Sequence, residues 1–128
     1  MARDGDMPKL VIKGRLAGLN EYTDACRKKA FIGAKMKREA EDIVKWSAIK
    51  TLHGTIKTPV IMHYVWYEPN RKRDLDNVSA FGRKVIQDAL VKIHLLPGDG
   101  WAHIRGFTDR FEVDQKNPRI EITFEEIK

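Results

Sequence analysis

Asp74 and Asp76 stand two residues apart in Arg73-Asp74-Leu75-Asp76-Asn77, at the seam between an apolar extended stretch and a helical pattern. Asp99 follows just past the far end of that helix, and Arg71, Lys72 and Arg73 put positive charge directly before the pair. A hard divalent cation such as Mg²⁺ takes oxygen ligands, keeps some waters, and binds through a few carboxylates plus the phosphate oxygens of its substrate. Two or three converging Asp side chains would let such an ion polarise a scissile phosphate and generate a hydroxide nucleophile. The adjacent cations would hold the polyanion. The pattern therefore points to phosphodiester chemistry on a nucleic acid. The same spacing also fits a structural role, with Asp74 as a helix N-cap and Asp76 as a first-turn carboxylate beside the positive end of the helix dipole.

Composition narrows the class. The chain has 128 residues and a 42% hydrophobic fraction, which predicts one folded domain with a modest core. A net charge of +6 and a pI near 9.5 favour an acidic partner, of which nucleic acid is the commonest. Cys26 is the single cysteine, so no intrachain disulfide forms, and no Cys/His grouping has zinc-site spacing. His53, His63, His94 and His103 are scattered and read as packed or surface residues. Met1 to Asp6 lacks the apolar run of a signal peptide, and no stretch approaches a membrane span. With no phosphate-binding loop or dinucleotide fingerprint, the expectation is a cytoplasmic protein with no membrane association and no small-molecule cofactor.

The elements that must carry the acidic residues follow from periodicity. Leu10-Val11-Ile12 opens a short strand, and a helical pattern runs from Asn20 to a stop at Gly54. Tyr22, Cys26, Phe31, Ala34, Ile43, Val44 and Leu52 are its expected inward positions. Its length exceeds an average helix, which predicts either a break near Gly33 or an overlong exposed helix. Its other faces carry Arg27, Lys28, Lys29, Lys35, Lys37, Arg38 and Lys45, either as a DNA-facing stripe or as a solvated face partnered by Glu39, Glu41 and Asp42.

Pro59 to Tyr67 reads as a central strand, Val60, Met62, Tyr64 and Trp66 pointing one way and Ile61, His63, Val65 and Tyr67 the other. A helix over Leu75 to Lys92 buries Val78, Phe81, Val85, Ala89 and Ile93, with Ile86 and Leu90 widening the stripe. Strands near His103 to Val113 and Arg119 to Phe124 flank a turn-rich connection that suggests a hairpin. The expected fold is one α+β domain over residues 1–128 in the order β-α-β-α-β-β, a small mixed sheet packed against two helices, with residues 1–7 as a flexible tail.

These residues resemble a known family. Arg73-Asp74-Leu75-Asp76-Asn77, the following helix with Lys84 and its ending Asp88-Ala89-Leu90, and Asp99 resemble the RusA-type crossover junction endodeoxyribonucleases. Phe107, Asp109, Phe111, Val113, Asp114 and Asn117-Pro118-Arg119-Ile120-Glu121 resemble a phage-associated branch of that family. The likeness covers roughly residues 58 to 124 well and the first 55 only in outline.

The resemblance implies a homodimeric, Mg²⁺-dependent Holliday junction resolvase of DNA recombination and repair, with Mn²⁺ able to substitute. Its metal-binding acidic positions fall on Asp74, Asp76 and Asp99. The family's helix lysine falls on Lys84 counted back from Asp88-Ala89-Leu90, and on Ala80 counted forward from Asp76. Lys84 is preferred, because a one-turn insertion preserves helix phase to within about 40°. Arg71, Lys72, Arg73 and Asn77 are the expected DNA contacts. Gly98 departs from short family members, which often carry a further Asp there. Trp66 reads as core, while Trp101, beside Asp99, is the aromatic placed to meet a junction. The alternatives are a noncatalytic DNA-binding module, whose aspartates only cap a helix, and a metal-dependent nuclease for another branched or RNA substrate.

Overall fold

Val60, Met62, Tyr64 and Trp66 are all buried, so one face of their strand is fully covered, while Ile61, His63, Val65 and Tyr67 on the other are only half-buried. Around this strand the computed structural model describes residues 7–128. The tail expected before Met7 lies outside the described residues. In chain order the elements are β1 (Lys9–Lys13), α1 (Leu19–Lys28), α2 (Ala30–Thr51), β2 (Val60–Glu68), α3 (Leu75–Lys92), β3 (Ile104–Val113) and β4 (Arg119–Glu126). The class is α+β, as expected, with three helices among the described residues rather than two. Among the described residues no helix is long and apolar enough to cross a membrane.

The sheet is mixed, in the order β1-β4-β2-β3. β3 runs parallel to β2, and β4 is antiparallel to both β2 and β1. The hairpin expected of β3 and β4 is therefore absent: β2 lies between them, and Asp114 to Pro118 carries the chain past its end. A β-α-β crossover through α3 delivers β3 parallel to β2. β4 then takes the other side of β2, where Ile120, Ile122 and Phe124 join Leu10 and Ile12 beneath the helices.

α3 keeps its sequence-derived limits, and Val78, Phe81, Val85, Ile86, Ala89 and Leu90 are all buried. The long first helix does break, but at Lys29, whose extended backbone separates α1 from α2. Gly33 serves a different purpose. A Cβ there would collide with the Cys26 side chain and stand 3.2 Å from its Cα, so the glycine permits close approach of α1 and α2. The break also shifts the helical phase. Ala40, Glu41, Val44 and Ala48 face inward, whereas Phe31 is 64% exposed, and Cys26, Ala34 and Ile43 are exposed too, contrary to expectation. Small residues are what let α2 lie close to its neighbours.

Candidate active site

Past Glu68 the chain turns through Pro69 and Asn70, whose side-chain oxygen accepts the Lys72 N–H at 3.0 Å. Asp74 follows in extended conformation as the N-cap of α3, its carbonyl accepting the Val78 N–H at 3.1 Å. Its carboxylate makes no capping bond. Asp74 and Asp76 are both exposed, and among the described residues neither carboxylate has a hydrogen-bond or ion-pair partner. The α3 dipole stabilises negative charge at this end, yet no side chain neutralises it. Two open carboxylates thus stand at the N-terminal end of α3, one on its N-cap and one in its first turn.

Arg73 could have paired with them and does not. Its guanidinium donates to the Leu16 carbonyl at 3.2 Å and to Glu21 at 2.6 Å, and Glu21 also accepts the Gly18 N–H that opens α1. Asn77 likewise accepts the Asn20 N–H at 2.8 Å, satisfying a free donor at the start of α1. These two expected DNA contacts therefore fasten α1 to the start of α3. Arg71 and Lys72 remain exposed. Asn77→Ala is expected to cost about 1 kcal/mol, as loss of a helix cap does, read as a lowered Tm with an unchanged salt dependence of DNA binding.

A cleft of about 650 Å³ opens beside this turn, with Arg71, Arg73 and Asp74 on one wall and Asp109 to Val113 of β3 on the other. Asp109 is its inner fixture. It accepts the Trp66 indole N–H at 2.8 Å and an Arg83 N–H at 2.6 Å, while Arg83 lies 4.4 Å over the Phe107 ring. Sequence reasoning gave Asp109 no role of its own, although a core-facing Trp on β2 requires an acceptor for its N–H.

Lys84 and Asp99 lie toward the other end of α3. The Lys84 ammonium is 3.0 Å from Asp88 and 3.7 Å from Asp99. Asp88 also accepts from Lys37 at 2.8 Å, and Lys37 reaches Glu41, which is 2% exposed and paired with Lys92 at 2.6 Å. Glu41, expected on a solvated face, is instead a buried link in this chain of alternating charge. Burial pushes the Asp88 carboxyl up, but hydrogen bonds from Lys37 and Lys84 outweigh it and hold it below the usual carboxylate range. The hydrogen bond to Asp88 raises the Lys84 ammonium above its ordinary value. Lys84 is therefore a cation throughout the neutral range, suited to neutralising charge rather than to accepting a proton.

Eight residues of helix, about 12 Å of axis, separate Asp76 from Lys84, and the pull of Asp88 draws the ammonium further away. The chain accordingly does not bring the three expected ligands together here: among the described residues no three His, Cys, Asp or Glu side chains are grouped to hold a metal. An Asp at position 98 would meet His103, since a Cβ on Gly98 falls 2.9 Å from its ring. Trp101 is 91% exposed, its carbonyl accepting from Arg105 at 3.0 Å. No family model matches this chain, and no curated protein does.

Proposed function

We propose that the chain is a divalent-metal-dependent endonuclease for branched DNA, which resolves Holliday junctions by paired nicks as a homodimer. The observation that carries this reading is the Asp74–Asp76 pair: both carboxylates are exposed and unpartnered at the start of α3, while the nearest arginine is committed to Glu21. Ionised side chains held close together without compensation suit a ligand that brings positive charge. All-oxygen donors fit a hard ion, and two carboxylates with substrate phosphate and waters form an ordinary Mg²⁺ shell. Such an ion, or Mn²⁺ in its place, supplies Lewis-acid polarisation of the phosphate and acidifies a bound water. Arg71 and Lys72 grip the backbone beside that point. Lys84 neutralises charge on the phosphate. The noncatalytic module is the weaker reading, because the Asp74 carboxylate makes no capping bond.

Asp99 enters through the dimer. It lies beside Lys84, in the loop after α3, and is not grouped with Asp74 and Asp76 of its own chain among the described residues. In a twofold pair, Asp99 and Lys84 of one copy meet the Asp74–Asp76 pair of the other, which completes two sites on the axis that a four-way junction already has.

The direct test incubates the protein with a four-way junction, a flap and a linear duplex, with Mg²⁺ or with EDTA. Junction cleavage into nicked duplexes with Mg²⁺ alone supports the reading, whereas tight junction binding without cleavage supports the module. Arg71→Ala and Lys72→Ala are each expected to lower the slope of log K against log salt by about 0.9 with Tm unchanged. Arg73→Ala is expected to lower Tm as well, since it unfastens α1.

A further inference from the structure

We infer that the outer edge of β3 is the dimer interface, pairing antiparallel with β3 of a second copy about a twofold axis at Arg110. The choice of a second copy rests on the paired-nick reading, while the strand itself specifies the geometry. β3 is ten residues long, contains no proline and, among the described residues, is hydrogen-bonded on its β2 side alone. An uncovered edge of that length presents a row of unpaired N–H and C=O groups that another strand can satisfy.

Asp114 donates its N–H to the Glu68 carbonyl at 2.8 Å, which fixes which groups point inward. By the two-residue period of a strand, Phe107, Asp109, Phe111 and Val113 turn their N–H and C=O to the open edge. Phe107 and Val113 are each 50% exposed and share the helix-covered face, three residues either side of Arg110. Antiparallel pairing centred on Arg110 therefore sets each Phe107 against the second copy's Val113 and covers both apolar side chains. On the opposite face the same register sets Arg110 against its own symmetry mate, a like-charge contact offset by Glu112, which lies 3.5 Å from Arg110 in each copy and one step diagonal across the pair. The same pairing lays the Ile104 end of one strand beside the Val113 end of the other.

Arg110 points its own N–H inward, so the two copies of it form a non-hydrogen-bonded pair with Cα atoms about 4.5 Å apart, inside the roughly 4.4–6.8 Å span of a disulfide. In a Cys26→Ser background, Arg110→Cys is expected to oxidise to a covalent dimer within minutes under diamide, at least tenfold faster than the exposed control Lys35→Cys. Val113→Pro removes an outward N–H and leaves β2 pairing intact. It is expected to shift the mass by light scattering from twice 14.8 kDa to 14.8 kDa with an unchanged circular dichroism spectrum. Cross-linking no faster than the control, or a dimer unmoved by both Val113→Pro and Phe107→Asp, overturns the interface. If such an unmoved dimer still cuts junctions, the endonuclease reading survives without this interface. A β3-paired dimer that leaves every junction intact supports the interface and removes the endonuclease reading.

Discussion

Asp76→Asn is expected to abolish junction cleavage while binding the junction at least as tightly as the unsubstituted protein. A catalytic ion contributes several kcal/mol of transition-state stabilisation, and each 1.36 kcal/mol is tenfold in rate, so the loss is roughly a thousandfold or more. Affinity moves the other way, because removing a negative charge beside Arg71 and Lys72 lessens repulsion of the phosphates. Asn is nearly the same size, and the Asp76 carboxylate bonds to no described residue, so the fold loses only the interaction of that charge with the α3 dipole, about 0.3–1 kcal/mol. The same substitution should remove the rise in Tm that Mg²⁺ or Mn²⁺ produces through binding to the native state. Single-turnover cleavage, junction titration and thermal melts with and without metal check the three parts separately. Equal metal-induced shifts in Asp76→Asn and the unsubstituted chain would remove the metal site from this turn.

The largest stability effect is expected from Trp66→Ala, at about 3–5 kcal/mol. Trp66 is 2% exposed at the centre of the sheet, stacks on Tyr64 with ring centroids 5.5 Å apart, and gives its N–H to Asp109. Removing it opens a large cavity and leaves Asp109 with Arg83 as its one remaining partner. That corresponds to a fall in Tm of roughly 10 °C or more. Trp101→Ala, by contrast, should stay within about 0.5 kcal/mol, since that side chain touches water almost everywhere. Thermal melts of the pair, followed by circular dichroism, check both values.

How far the sequence reached depends on the kind of signal. β2 and α3 were legible because each carries an unbroken apolar period: Val60, Met62, Tyr64 and Trp66 at two, and Val78, Phe81, Val85 and Ala89 near 3.6. α1 and α2 were less so, because Ala40, Ala48 and Gly33 face inward by being small, and hydrophobicity does not mark them. The β3–β4 connection looked like a hairpin because turn residues report a local reversal and say nothing of which strand lies between. At the candidate site, the acidic pair and its place on α3 followed from spacing. That Arg73 and Asn77 are occupied with α1 did not, since Leu16, Asn20 and Glu21 lie more than fifty residues away in sequence. Nor did spacing reveal that Asp99 sits by Lys84, away from Asp74 and Asp76, because the loop after α3 sets that position.

The central claim, that Asp74 and Asp76 of one copy and Asp99 of another form a metal-dependent cutting site, is tested most directly by complementation. Asp76→Asn and Asp99→Asn proteins, each inactive alone, are co-expressed so that mixed dimers form, and a four-way junction is added with Mg²⁺. In a mixed dimer the intact Asp76 of one chain meets the intact Asp99 of the other, so one complete site exists and one strand of the junction should be nicked. If each chain instead carried its own complete site, both sites in the mixed dimer would be broken. A silent mixture, from chains that still dimerise and still bind the junction, would contradict the account.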